Sequence, residues 1–293
     1  MYKKDISMDH PVYEIKNFDR NILNSLYVNS LKKHLFKHHF IETMHRHNFY
    51  LLVLFTSGNG EHVIDFDKFT ICSGSLFFMQ PGQIHSWKLS QDVEGYIVFC
   101  SKEIFNLYFK TKKIEEYSYF QSFKNSPELL LSNQQMNQII PYFELLIQEY
   151  DLNLMYKNDK MLNLLDTIFI EITRLYSAVN TINQPVYNYK LKQFETELEA
   201  YFKTEKSPSF YAGKLAITLK HLNRITKSIL NKTVTELITQ RLLLESKRLM
   251  VERNLNTSQI SYALGFSSPS YFMKLFKKHT GETTKDFINR LKN

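Results

Sequence analysis

The chain has 293 residues, 43% hydrophobic and 23% charged, with a net charge of +8. That length suits two domains of about 100–200 residues each, and the balance excludes a disordered or collagen-like chain. No run reaches the roughly 18 apolar residues of a membrane span, and no apolar stretch follows the early lysines as a signal peptide requires. Two cysteines, Cys72 and Cys100, make no disulfide framework, so a reduced, cytoplasmic protein is expected.

In chain order, the first 45 residues carry no clear period and are expected to add edge strands at most. Residues 48–100 alternate short apolar runs with turn signals. Phe49–Phe55 is followed by Ser57-Gly58-Asn59-Gly60, Glu61–Phe66 alternates polar and apolar, and Leu76–Met79 runs into Pro81-Gly82. Tyr96–Cys100 reads as a further buried strand. Short strands punctuated at roughly 8–12 residues indicate a sandwich or barrel. After about residue 128 the period becomes helical over Leu129–Tyr150 and Asn158–Val179. Two such helices cover a sheet face or form a dimer seam. The polar stretch from Asn180 through Pro185 to Asn188 reads as a linker.

From residue 190 the chain is helical almost throughout, and its charge changes. Fourteen lysines and five arginines stand against eight glutamates and one aspartate, a net of +10, while the preceding residues net −2. A basic domain joined to a near-neutral one is the electrostatic footprint of a polyanion binder. Two segments share one plan. Phe210–Ile217 reads as a short helix before a second helix capped by Thr218. Ser258–Leu264, the Gly265-Phe266 turn and a helix with Ser268 at its N-cap and Pro269 at its first position repeat the arrangement, closed by Gly281. This is the helix-turn-helix plan, in which the second helix reads the major groove. In the two reading helices Lys220, His221, Asn223, Arg224 and Lys227, and Ser268, Pro269, Ser270, Tyr271, Lys274 and Lys277, are the candidate DNA-facing residues. Arginine and asparagine suit base edges, and lysine suits phosphate. Between the units, Thr233-Val-Thr-Glu236 matches a capping box, and an uninterrupted helix of about 20 residues spans roughly 30 Å. That is close to the separation of about 34 Å between successive major grooves on one face.

Ile260–Gly281 resembles the signature of the AraC/XylS family of bacterial transcription regulators, and Leu215–Arg224 with Arg241-Leu242 resembles its weaker first half. The resemblance implies transcriptional control by two helix-turn-helix units on a long connector, with base contacts at Lys220, Asn223, Arg224, Pro269, Ser270 and Lys274. Thr226, Asn231, Thr284 and Ile288 depart from the family pattern, where Phe, Gly, Pro and Arg are usual. In the N-terminal part, His45-Arg46-His47 and Pro81-Gly82-Gln83-Ile84-His85 resemble the two short motifs of cupin barrels, which serve many regulators of this family as small-molecule sensors. Metal cupins add a Glu and an Asn where this chain has Leu51 or Leu52 and Leu89. A pocket role, a three-imidazole metal site and a structural role are the readings open to these histidines, and Trp87 lies on the same strand face as His85.

The expectation is therefore an α+β multidomain chain: a cupin-like β-barrel over 1–128, a helical dimerisation segment over 129–180, a linker over 181–189, and an all-α double helix-turn-helix domain over 190–293. The ligand site is placed at His45, His47, His85 and Trp87, with no metal, cofactor or catalytic residue. Double-stranded DNA, a small-molecule effector, RNA polymerase and a second copy of the chain are the expected partners. The rival reading is a metal-dependent cupin enzyme with a helical appendage, against which the missing Glu and the basic third both weigh.

Overall fold

The computed structural model describes residues 11–19, 26–38, 44–120, 126–152, 154–179, 185–251 and 255–290. It divides into two compact units, Pro11–Thr181 and Ile182–Asn293.

The first unit is built on two five-stranded sheets. One holds, in spatial order, β1 (Val12–Tyr13), β3 (His45–His47), β8 (Ile84–Leu89), β5 (Gly60–Ile64) and β6 (Asp67–Ile71). The other holds β10 (Glu128–Leu130), β7 (Ser75–Met79), β4 (Tyr50–Ser57), β9 (Glu94–Cys100) and β2 (Leu26–Ser30). The second sheet is buried on both faces, which explains why β4 reads as a nearly unbroken apolar run. Successive side chains point to opposite faces. Leu51, Val53 and Phe55 enter the core between the sheets with Phe77, Trp87 and Phe99. Tyr50, Leu52 and Leu54 enter a second core beneath α3 (Asn133–Asp151) and α4 (Lys157–Val179). Those helices contribute Met136, Ile139, Phe143, Leu146, Leu165, Ile168 and Ile172, so much of their apolar surface covers the sheet.

Two boundaries differ from the sequence reading. Glu128–Leu130 is an edge strand paired antiparallel with β7, not the start of a helix, so a boundary at 128 would cut the sheet. The helix begins at Asn133, where Ser132 and Gln135 form a capping box. The N-terminal stretch supplies edge strands as expected, β1 at the end of one sheet and β2 at the end of the other, and adds the helix α1 (Leu31–Lys37).

The second unit is helical: α5 (Pro185–Tyr201), α6 (Pro208–Lys214), α7 (Leu219–Leu230), α8 (Val234–Val251), α9 (Thr257–Ala263), α10 (Pro269–Thr280) and α11 (Thr284–Arg290). Pro185 starts α5 inside the stretch read as a linker, of which 181–184 lie outside the described residues. A proline costs nothing in the first turn of a helix, so it marks a start here rather than a break. The unit contains a repeat. Helices α7 and α10 have 12 residues each and start 50 positions apart. Each ends on a left-handed residue, Asn231 at φ 53° and Gly281 at φ 81°. The next helix is capped alike in both, by Thr233 with Glu236 and by Thr283 with Asp286. The connector α8 has 18 residues, about 27 Å at 1.5 Å per residue.

Candidate nucleic-acid interface and buried polar site

Helix α7 is fixed by its ends and its buried face. Thr218 Oγ1 accepts the His221 N–H at 3.1 Å, and Leu222, Ile225 and Thr226 are fully buried. Thr226, the departure from the family's Phe, donates its hydroxyl back to the Asn223 carbonyl at 3.3 Å, so its polar atom is satisfied in the core. Lys220, Arg224 and Lys227 are exposed, at the i, i+4, i+7 spacing of one helix face. His221 and Asn223 are half-buried, as are Leu219 and Ile229. Asn223 Oδ1 accepts the Val234 N–H at 3.0 Å, satisfying one of the orphan donors at the start of α8. The residue thus joins reading helix to connector, a role its side-chain type alone did not reveal.

Helix α10 repeats the geometry. Phe272 and Phe276 are buried and Leu275 half-buried. Ser270, Lys274 and Lys277 form the equivalent exposed stripe, flanked by exposed Ser268, Tyr271 and Met273, with Pro269 half-buried. Ser268 takes the extended N-cap conformation but makes no side-chain cap bond, so its hydroxyl is not consumed by the helix. Each unit therefore presents a helix whose apolar face is locked and whose opposite face carries basic or hydroxyl side chains in the same register.

The barrel carries a different kind of site. His45 and His47 on β3, and His85 and Trp87 on β8, are all buried, and the structure adds His62 on β5, which sequence reasoning missed. The rings gather around His85, with centroids at 4.2 Å for His45, 5.1 Å for His47, 5.3 Å for His62 and 5.2 Å for Trp87. His62 has no local motif. Only the strand register, which sets His62 opposite Trp87 and Ile64 opposite His85, brings it to the cluster. His62 Nε2 and His85 Nδ1 share a hydrogen bond of 3.0 Å. His47 Nδ1 donates to the Phe49 carbonyl at 2.9 Å, since a carbonyl can only accept.

Burial, reinforced by the neighbouring imidazoles, drives the pKa of His47 and of His62 down to about 3 and that of His85 well below the ordinary histidine value. At neutral pH these rings are uncharged. The neutral tautomer of His47 then leaves Nε2 as a lone pair. Whichever way the His62–His85 bond is donated, the pair has one N–H and one lone pair left over. His47 Nε2, His62 Nδ1, His85 Nε2 and Trp87 Nε1 have no hydrogen-bond partner among the described residues. A buried polar atom left unsatisfied costs about 1–3 kcal/mol, so four in one cluster point to something besides stability. Among the described residues no three His, Cys, Asp or Glu side chains are arranged to hold a metal ion.

Two basic reading helices on one unit, and a sheet core with unsatisfied polar atoms in the other, define a DNA-binding regulator with a ligand-binding domain. Residues 211–290 match the model of a helix-turn-helix domain, and residues 33–154 that of the AraC-like ligand binding domain. The chain is 20% identical over 256 residues to the HTH-type transcriptional activator RhaR of Mannheimia succiniciproducens, covering 84% of this chain and 87% of that one. It is likewise 20% identical over 246 residues to the HTH-type transcriptional activator RhaS of Salmonella schwarzengrund, covering 83% and 86%. Among solved structures, ToxT from Vibrio cholerae is 14% identical, with 90% of this chain and 97% of that one covered at a TM-score of 0.44. The chain therefore carries a helix-turn-helix domain and an AraC-like ligand-binding domain, and it is a DNA-binding transcription regulator of the AraC/XylS type.

Proposed function

We propose that this regulator reads DNA with two matched stripes and senses an uncharged, hydroxyl-bearing effector at the histidine cluster. On α7 the stripe is Lys220, Arg224 and Lys227, with His221 at its edge. On α10 it is Ser270, Lys274 and Lys277, with Ser268, Pro269 and Tyr271 at the helix start. The observation that carries this half is the common register of the two stripes, 50 residues apart, on helices whose other faces are buried. Asn223 positions α8 through Val234 rather than reading a base. If about six phosphates are neutralised, log K falls with log salt at a slope near −5. Binding of the full chain to duplex DNA that ignores salt would overturn the interface.

The effector half rests on the four unsatisfied atoms around His85, lined by His45, His47, His62 and Trp87. One fixed N–H, on Trp87, and one fixed lone pair, on His47, suit a group that both accepts and donates, as a hydroxyl does. Neutral imidazoles offer no charge to an anion. Because these atoms are closed off from solvent, a ligand reaches them only by parting the rings, which couples occupancy to the shape of the sheet core. Trp87 is the only tryptophan and lies in the cluster, so its emission reports occupancy directly. Titration with uncharged hydroxylated compounds is expected to change that emission, and their carboxylate analogues are expected to leave it unchanged. The reverse order would sink the assignment.

The protein acts as a cytoplasmic homodimer without enzymatic activity, and RNA polymerase is its further partner. Dimerisation is assigned to the α3–α4 region, supported by the exposed apolar side chains Leu145, Leu152, Leu154, Met155 and Tyr156 at that corner. A full-length chain sedimenting as a monomer at micromolar concentration would refute the dimer.

A further inference from the structure

The two helix-turn-helix units are each held just past the end of their first helix by a lysine from a single stretch of chain. Lys190 on α5 donates to the Leu215 carbonyl at 3.1 Å, at the C-terminal end of α6. Lys206, in the loop that follows α5, donates to the Gly265 carbonyl at 2.9 Å, at the C-terminal end of α9. The Leu215 carbonyl, at the C-cap, has no intrahelical donor and lies at the negative end of the helix dipole, whereas the Gly265 carbonyl lies one residue beyond the α9 C-cap, in the turn itself. Lys206 is the more committed of the two. It also donates to the Lys203 carbonyl at 3.0 Å and stands 4.8 Å from the centre of the Phe266 ring.

The loop and the turn fit against each other with no slack. Gly265 has φ 72°, and a Cβ there would lie 1.9 Å from the Lys203 carbonyl oxygen. The same loop is tied to the first unit and to the connector. Glu205 offers its carbonyl to the hydroxyl of buried Tyr211 on α6 at 2.7 Å, Lys203 pairs with Glu245 on α8 at 3.3 Å, and the Arg241 guanidinium lies 4.0 Å from the Phe202 ring. Residues 202–206 therefore touch the first helix-turn-helix, the connector and the turn of the second. This is a path between the two reading helices that runs beside α8 rather than along it.

We propose that Lys206 is a positioning residue that splints the second reading helix to the first and so sets the half-site separation the protein accepts, without touching a base. The inference rests on the reading that both units contact DNA. Two rigidly coupled readers tolerate only one separation, because each added base pair moves a half-site by about 3.4 Å and rotates it by roughly 36°. Readers coupled through α8 alone tolerate more than one.

The test uses the full chain and a duplex selected from a random 40-base-pair pool by the wild-type protein. Affinity is measured on that duplex, on the same duplex with one base pair inserted between the half-sites, and on a duplex keeping one half-site only. Wild type is expected to lose about tenfold or more on insertion. Lys206→Met, which keeps the side-chain length and removes the ammonium, is expected to stay within about threefold of wild type on the selected duplex and to lose less than about threefold on insertion. On the single half-site the two proteins are expected to bind equally, and a thermal melt checks that the variant is folded. A Lys206→Met protein with wild-type sensitivity to the insertion, or one that loses affinity equally on all three duplexes, overturns the splint. Selected duplexes that contain a single contiguous half-site would instead refute two-unit reading itself, and the splint with it.

Discussion

The two units bury polar groups by opposite means. In the sheet core His47, His62 and His85 are buried uncharged, with one nitrogen of each unsatisfied. In the helical unit Arg241 and Arg248 are buried charged and answered by carboxylates. Arg241 Nε lies 2.7 Å from Glu199, and Arg241 Nη1 and Arg248 Nη1 lie 3.1 and 3.7 Å from Glu245. Burial pushes the Glu245 carboxyl up, but Arg241, Arg248 and Lys203 outweigh it and hold it below the ordinary carboxylate value. Under the proposed function, the paired network fixes a platform from which two helices read, whereas the unpaired cluster keeps hydrogen-bonding capacity in reserve for a ligand. The same currency, polar atoms away from water, is invested in rigidity in one unit and in responsiveness in the other.

The largest expected effect follows from that contrast and appears in acid. His34, His47 and His62 have folded pKa values of about 3 against an ordinary 6.5, so the folded barrel binds fewer protons than the unfolded chain. Their contribution is fully present above about pH 6.5 and is lost as pH falls toward 3. Each of these histidines is protonated in the unfolded chain at mildly acid pH and resists protonation in the folded barrel, so the barrel loses stability steadily as pH falls below 6.5. The depressed Glu245 acts lower: its contribution is kept above the ordinary carboxylate value and lost only as pH falls through the folded one. Trp87 emission should therefore report unfolding of the barrel at mildly acid pH, before the helical unit loses its structure. His62→Gln should move the Trp87 midpoint to lower pH. Coincident unfolding of both units below pH 4 would erase the distinction.

Next in size is Arg241→Met. It leaves Glu199 and Glu245 facing a side chain that cannot answer them, and breaking a buried pair from one side costs about 3–5 kcal/mol. Glu199 is 40% exposed and water compensates part of its loss, so roughly 3 kcal/mol is expected. In urea the helical signal should melt earlier, with the Trp87 transition in the other unit unmoved. A shift of both transitions together would mean that the units are not independent in stability.

How much of this was legible in the sequence depends on how local each signal is. The reading helices were legible because their determinants lie within a turn or two: Thr218, Pro269 and Gly281 mark ends, and Phe272 and Phe276 mark a buried face. The strands from Tyr50 to Cys100 were legible for the same reason. What failed was non-local. Glu128–Leu130 shows no strand period, and only its pairing with β7 makes it one. His62 belongs to the cluster through a register across 23 residues of sequence, with no motif of its own. The bond that Asn223 accepts from Val234 was equally hidden, because it depends on how α7 meets α8 and not on the side-chain type, which also suits a base edge. The shared plan of the two segments was legible from their caps and turns, although Leu222, Ile225 and Thr226 stand where the second unit has Phe272, Leu275 and Phe276.

Within the helical unit the comparison narrows to its two stripes. Arg224 is exposed at the centre of the α7 stripe, and in the proposed reading its guanidinium forks onto a guanine edge. Arg224→Ala should cost about 1–3 kcal/mol on the preferred duplex and relax preference at one base pair. Competition against duplexes altered one position at a time measures it. Equal weakening on preferred and scrambled duplexes would make Arg224 a phosphate contact and shift the reading to α10.

Lys277 gives the smallest effect and the sharpest control. It occupies the position in α10 that Lys227 occupies in α7, in the last turn, where both helices carry exposed lysines rather than the residues that begin the stripe. An ammonium at that point meets phosphate as a point charge and carries no base preference. Lys277→Ala should then weaken preferred and scrambled duplexes by the same factor and flatten the dependence of log K on log salt by about one unit. Lys227→Ala should do the same, because the repeat puts it in the same register. Paired titrations at two salt concentrations test both. If Lys277→Ala changes the ratio between preferred and scrambled duplexes while Lys227→Ala does not, the two stripes are not equivalent, and the α10 helix lies deeper in its groove than the α7 helix in its own.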